Sequence, residues 1–347
     1  MFISSSLPRD IGGLQNFITL FKENFNINVI QMLEVLVPLF LGLFLAWNLG
    51  ANDLANAMST SVGSGALRVR KATLLASFFQ LFGALTFGGA VMGTIGMKMV
   101  PQEVMSVEVI CIVLLSTSLW IFYATYKRVP ISLSHSLIGS LIGVGIGAGM
   151  NLNLGLTVEI ILSWILSPFI SLFIAALVYL GIRNLLYTRM RGVRERRRIE
   201  RMFALLQVLS ASLFCFGAGA NSVPKAVGIL VGLDFNPDLL MVIGAVGVAI
   251  GVLTWGGRVM KTVGRGIFRL TPMKGFCSQF SSAIVVILFT FLAIPVSTTH
   301  ILIGAILGIG MVSSEKIRWR TVREITTTWV FTVPITALTS MILVCII

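Results

Sequence analysis

The sequence predicts an all-α integral membrane protein of about ten transmembrane spans, built as a five-plus-five inverted-topology repeat with broken or re-entrant helices. Three observations predict it. Hydrophobic residues make up 56% of the chain and charged residues 11%, with a mean hydropathy of +0.96; a soluble domain carries roughly 25% charged residues. Long apolar stretches recur along the chain, without the short alternating segments of a β-barrel. One polar octapeptide occurs twice, as Gly50-Ala-Asn-Asp-Leu-Ala-Asn-Ala57 and Gly219-Ala-Asn-Ser-Val-Pro-Lys-Ala226, each time at the end of a long apolar run.

Taken in order, residues 1–31 mix Arg9, Asp10, Lys22 and Glu23 with apolar residues and lack the layout of a cleavable signal. They read as an amphipathic lead-in. A helix needs about 20 residues to cross the hydrocarbon. The first repeat, 32–182, supplies apolar runs at 33–67, 72–96, 104–126, 129–150 and 157–182. A basic cytoplasmic linker, 183–202, follows. The second repeat, 203–347, supplies runs at 203–233, 239–257, 276–293, 294–312 and 325–347. Several runs are longer than a single crossing and leave room for internal breaks. Cys111, Cys215, Cys277 and Cys345 lie scattered in apolar segments without CxxC spacing, so neither a disulfide framework nor a metal site is indicated.

The repeat extends beyond the octapeptide. Phe87-Gly-Gly-Ala-Val-Met-Gly-Thr-Ile-Gly96 matches Trp255-Gly-Gly-Arg-Val-Met-Lys-Thr-Val-Gly264. Pro130-Ile-Ser-Leu-Ser-His135 matches Pro295-Val-Ser-Thr-Thr-His300, and Glu159 and Trp164 match Glu324 and Trp329. The offsets, 169, 168, 165 and 165, describe one alignment over nearly the whole chain. Basic residues change place between the halves. Arg68, Arg70, Lys71, Lys127 and Arg128 have no basic counterparts in the second half. There the charge sits at Arg258, Lys261, Arg265, Arg269 and Lys274, and at Lys316, Arg318, Arg320 and Arg323, where the first half is neutral apart from Lys98. Five spans per half put every Lys and Arg except Arg9, Lys22, Lys98 and Lys225 on the cytoplasmic side, with both termini outside. An odd number of spans inverts the second copy. The net charge of +13 is thereby a topology signal in the cell membrane, and no nucleic-acid partner is implied.

Asn and Asp are costly in hydrocarbon and weak helix formers, so their repetition marks a site. Interrupted helices meeting from two related halves are the sequence pointer to a secondary transporter. Asp53 is the strongest cation ligand, with Asn52, Asn56, Asn221 and Ser222 beside it. In the two proline-led segments, Ser132, Ser134, Ser297, Thr298 and Thr299 supply hydroxyls and free N–H groups at helix starts, which suits a tetrahedral oxyanion. His135 and His300, the only two histidines, hold equivalent positions as hydrogen-bond donors or proton carriers. No Walker A motif, HExxH or nucleophile elbow is present, so an enzyme is not expected.

The segments GANDLANAMSTSVGSGAL, LQVLSASLFCFGAGANSVPKAVGIL and IPVSTTH together resemble the inorganic phosphate transporter (PiT) family, over roughly residues 33–347. The resemblance implies sodium- or proton-coupled carriage of phosphate, or of sulfate, by alternating access in a homodimer without a cofactor. It implies cation binding by the Asn-Asp motifs, with Asn52, Asp53 and Asn221 as sodium ligands. It also implies anion binding by the Ser and Thr residues of the proline-led segments. The chain departs from the family pattern at Ser222 and Lys225, where Asp and Asn are usual, and at Gln80 and Gln279, where glutamates are frequent. A charge at mid-bilayer costs about 2.5–3.5 kcal/mol on insertion scales, so Lys225 needs an explanation. It pairs with Asp53 in place of a coupling cation, contacts the anion, or snorkels to an interface. A receptor with little transport would favour long exterior loops, which the sequence lacks. An anion channel would show rates far above carrier turnover.

Overall fold

The apolar runs become helices, but the polar interruptions decide where each one stops. The computed structural model describes residues 11–98, 105–149, 152–186 and 192–346. Helix α1 (Ile11–Ala51) takes up the first run together with the described part of the lead-in, and ends inside the first octapeptide. A 3₁₀ turn (Leu54–Met58) and a short α2 (Ser59–Gly63) follow. Helix α3 (Val69–Phe87) bends by 65° at Gly88 into α4 (Gly89–Gly93). Then come α5 (Val107–Tyr126), α6 (Leu133–Gly147) and α7 (Leu154–Leu186).

The second half opens with α8 (Val193–Val227), which carries the second octapeptide in its last turns. Helices α9 (Pro237–Gly251), α10 (Gly257–Gly266), α11 (Pro272–Phe291), α12 (Thr298–Val312) and α13 (Trp319–Ile346) follow. In the basic segment, Arg183 lies in the last turn of α7 and Arg194–Arg201 in the first turns of α8. Residues 1–10 and 187–191 lie outside the described part.

Among the described residues, seven helices are long and apolar enough to cross a membrane, or eight if the bent α3–α4 pair counts as one span. Two of the ten expected runs, 129–150 and 294–312, form helices of only 15 residues, α6 and α12. At 1.5 Å per residue each reaches about 22 Å, short of the ~30 Å hydrocarbon core. The preceding helices close in turns with Arg128 and Ala293 at positive φ just before Pro130 and Pro295, and Ser132 and Ser297, in extended backbone, cap the helices that follow.

Every major pairing in one half is repeated in the other with the partners exchanged. Helix α1 packs on α9 and α5, as α8 packs on α3 and α11; α6 lies against α13 and α12 against α7. Small residues permit the closest of these contacts. A Cβ on Gly143 would sit 2.0 Å from the Ala337 carbonyl oxygen, and one on Gly308 would sit 2.2 Å from that of Leu172. Phe40, Phe78, Phe82, Phe169, Phe173 and Leu177 face outward, while Asn52, Asp53, Asn221 and Lys225 are buried. An apolar surface around a polar centre is the distribution a bilayer imposes.

Candidate functional site

Two asparagines organise the centre. Asn52 Nδ2 donates to Thr125 Oγ1 and to the Val129 carbonyl, both at 3.0 Å, and its Oδ1 accepts from Ile131 N at 3.0 Å. Asn221 makes the same three bonds in the second half: to Thr290 Oγ1 at 3.1 Å, to the Ile294 carbonyl at 3.0 Å, and from Val296 N at 3.0 Å. Each amide thus ties the end of one long helix, α5 or α11, to the extended segment that launches α6 or α12. Buried polar groups that would otherwise be orphaned are satisfied in pairs. The octapeptide asparagines therefore fix the positions of both short-helix starts.

Those starts meet. Ser134 Oγ, in the first turn of α6, donates to the Val296 carbonyl just before α12, at 3.0 Å. Ser132 Oγ accepts from His135 N at 3.4 Å and Ser297 Oγ accepts from His300 N at 3.2 Å, so both hydroxyls are engaged as caps. The positive ends of two helix dipoles consequently converge on one buried region.

Asp53 lies at this junction, 2% exposed. Its Oδ1 accepts from Thr298 Oγ1 at 2.9 Å and from Thr299 Oγ1 at 2.5 Å, and the backbone N–H of Leu133 also faces the carboxylate. Its Oδ2 carries no hydrogen bond. Asn56 Nδ2 donates to Thr299 Oγ1 at 3.3 Å, and Asn56 Oδ1 is likewise buried without a hydrogen bond. One carboxylate among neutral oxygens suits an alkali cation or a proton better than a transition metal. Among the described residues no group of three or more His, Cys, Asp or Glu side chains is placed to hold a metal.

Lys225 is fully buried. Its Nζ donates to the Val296 carbonyl at 2.7 Å, to Ser134 Oγ at 2.9 Å and to Asn221 Oδ1 at 3.2 Å. It does not snorkel to an interface. Among the described residues no ion pair within 4.0 Å joins Lys225 to Asp53, though both charges lie at the same junction. Ser222, at the position equivalent to Asp53, is buried with its hydroxyl unpartnered.

The two histidines face each other, ring centroids 4.4 Å apart, with His135 against Trp164 at 4.0 Å and His300 against Trp329 at 3.7 Å. His300 Nδ1 lies 3.4 Å from the Trp164 carbonyl oxygen, and the other three ring nitrogens carry no hydrogen bond. The pair sits one residue beyond Ser134 and Thr299, within an aromatic cage.

Sequence reasoning missed Thr125, Thr290 and Gln207. Thr125 and Thr290 are separated by 165, the offset of the proline-led segments, so the repeat itself was the available signal. Gln207 joins Thr60 and Ser64, and Gln279 joins Ser61 and the Ala57 carbonyl; together they brace the segment after the first octapeptide. Away from the centre, Arg70, Arg128 and Arg258 line a cleft of about 660 Å³. The equivalent cleft of the other half, about 450 Å³, has Asp238 in the place of Arg70.

The model of the phosphate transporter family matches residues 49–340. A protein of Rhizobium meliloti described as a "probable low-affinity inorganic phosphate transporter" is 32% identical over 320 residues, covering 87% of this chain and 95% of that one. A solved structure described as "The sodium-dependent phosphate transporter" superposes with a TM-score of 0.82 at 27% identity, covering 90% of this chain and 98% of that one. The repeated Asn-led octapeptide, the paired proline-led helix starts and the extent of these matches agree: this multi-pass membrane protein belongs to the phosphate transporter family.

Proposed function

We propose that the protein is a secondary transporter that carries inorganic phosphate across the cell membrane by alternating access, coupled to a cation, for which sodium is the first candidate. The observation that carries this reading is the charge balance at the junction of α6 and α12. Two helix N-termini and the Lys225 ammonium outweigh the single Asp53 carboxylate, leaving a buried site that attracts an anion. Ser134, Thr298 and Thr299 bring hydroxyls there, whose single O–H protons are donated to the Val296 carbonyl and to Asp53 Oδ1 and must turn to the phosphate when it binds; the ring nitrogens of His135 and His300 lie next along the same helices, and the caps of Ser132 and Ser297 hold both starts in place. Asp53 and Asn56, whose Oδ2 and Oδ1 carry no hydrogen bond, frame the cation with Asn52 beside them, while Asn221 and Ser222 hold the equivalent place in the second half. A cation bound beside the phosphate lowers the charge that must pass a low-dielectric barrier, and its gradient supplies the work.

The exchanged packing of equivalent helices supports a five-plus-five inverted repeat in which α6 and α12 are broken spans, each crossing together with its non-helical lead-in. The arginine-lined cleft, whose counterpart in the other half is neutral to acidic, supports a cytoplasmic position for the basic clusters and an outside position for both termini. The names of the relative and of the solved structure favour phosphate over sulfate, and sodium over the proton. The test is uptake of labelled phosphate into proteoliposomes with sodium and proton gradients imposed separately and sulfate as competitor. Uptake that follows the sodium gradient and resists sulfate is expected. Uptake indifferent to both gradients defeats the coupled mechanism.

A further inference from the structure

The two octapeptides occupy equivalent places but differ in charge, and the hydrogen bonds show what the difference replaces. Around Lys225 Nζ stand three oxygens: Ser134 Oγ, Asn221 Oδ1 and the Val296 carbonyl. At the repeat offsets their counterparts are Thr299 Oγ1, Asn52 Oδ1 and the Ile131 carbonyl, and the counterpart of Lys225 is Asn56. The contacts themselves obey this correspondence. Asn56 Nδ2 donates to Thr299 Oγ1 as Lys225 Nζ donates to Ser134 Oγ, and Ile131 N donates to Asn52 Oδ1 as Val296 N donates to Asn221 Oδ1.

The first-half set has no cationic side chain within it. It has the Asp53 carboxylate instead, whose Oδ2 is buried without a hydrogen bond, as is Asn56 Oδ1. The second-half set has Ser222 in place of the carboxylate and an ammonium in place of the amide. One half therefore holds a negative charge with two oxygens that lack a partner, while the other holds a cation that is part of the chain. An ammonium has three N–H donors, and all three here point at protein oxygens. None is left for a phosphate oxygen unless one of these bonds breaks, which favours the role of cation over that of direct anion ligand.

We propose that the Lys225 ammonium is a permanently resident cation in the second of two equivalent cation sites, so that transport is coupled to one mobile cation instead of two. The inference rests on the reading of Asp53 as the mobile-cation site. Proteoliposomes held at zero membrane potential and equal pH give the coupling ratio from phosphate accumulation at balance. A tenfold sodium gradient holds about tenfold accumulation at a ratio of one and about a hundredfold at a ratio of two. The wild-type protein is expected at one, and a ratio of two or more overturns the proposal without any variant. The double variant Ser222→Asp/Lys225→Asn, which copies the first-half residues into the second half, is expected to reach two. A monodisperse double variant still at one also overturns the proposal. Asp53→Asn separates the two levels of the argument. Accumulation that still follows the sodium gradient in that variant sinks the Asp53 reading itself. An uncoupled Asp53→Asn beside an unchanged double variant sinks only the role of Lys225.

Discussion

Asp53→Asn is the sharpest single perturbation, because it removes a charge and keeps the shape. The amide oxygen can still accept from Thr298 and Thr299, whose hydroxyls lie 2.9 and 2.5 Å from Oδ1 in the native protein. What is lost is the only carboxylate among the hydrogen-bonded groups at the junction. A unit charge pair about 4 Å apart interacts by about 4 kcal/mol at an effective dielectric constant of 20. The retained neutral oxygens return part of that, so a net loss of about 3 kcal/mol is expected, which weakens cation binding roughly 100-fold. The assay is a sodium titration of labelled phosphate uptake in proteoliposomes, with phosphate–phosphate exchange measured beside it. The half-saturating sodium concentration is expected to rise about 100-fold. Exchange persists, since Ser134, Thr298, Thr299 and both helix starts remain. Stability should fall as well, because Lys225 loses the opposite charge nearest the site, but by less than the 3–5 kcal/mol typical of a broken buried ion pair, since Nζ keeps its three acceptors. A variant with wild-type sodium dependence and full gradient-driven accumulation refutes the reasoning.

Other outcomes follow from the same geometry. Asn52→Ala removes three hydrogen bonds and Asn221→Ala four, the fourth being the one from Lys225 Nζ, and each leaves a buried backbone N–H unpaired, so each should lower stability by about 2–4 kcal/mol, Asn221→Ala the more; melting curves with the smaller loss at Asn221 would contradict this. Ser134→Ala removes a hydroxyl that meets both Lys225 and the Val296 carbonyl, and should raise the KM for phosphate about tenfold while lowering stability by about 1–3 kcal/mol; an unchanged KM excludes Ser134 from the anion site. Gly143→Ala and Gly308→Ala drive a methyl group into the Ala337 and Leu172 carbonyls, so both should lose about 2 kcal/mol or more of stability; native melting temperatures would show that the helix pairs can spread without cost.

The membrane class and the two-fold repetition were legible from residues alone. Hydropathy is a property of composition, and one offset near 165–169 carries the octapeptide, the glycine-rich segment, the proline-led segments and the Glu-Trp pairs. The candidate site was legible to the extent that its members interrupt apolar runs. Asp53, Asn52, Asn221 and the Ser and Thr residues after Pro130 and Pro295 stand out because hydrocarbon penalises them. Thr125 and Thr290 did not, since a single threonine late in an apolar helix is compatible with a bond to its own backbone, and each makes one, to Ile121 and Val286. Only the fold shows that the same hydroxyls also receive the octapeptide asparagines.

Tertiary structure alone decided how far α6 and α12 extend, since an apolar run of sufficient length can be a span or a short helix with an extended lead-in. It alone turned the two histidines toward each other and toward tryptophans, away from isolated roles. It alone directed Lys225. In the sequence a lysine beside a lost Asp-Asn pair can reach a carboxylate, an anion or the membrane surface; its four-carbon stem permits all three. The choice was made by oxygens from α6 and the lead-in to α12, 91 and 71 residues away along the chain. Periodicity and cost in hydrocarbon act locally and can be read from a string of residues. The partners of a buried charge are set by which helices pack together, and that is a property of the folded whole.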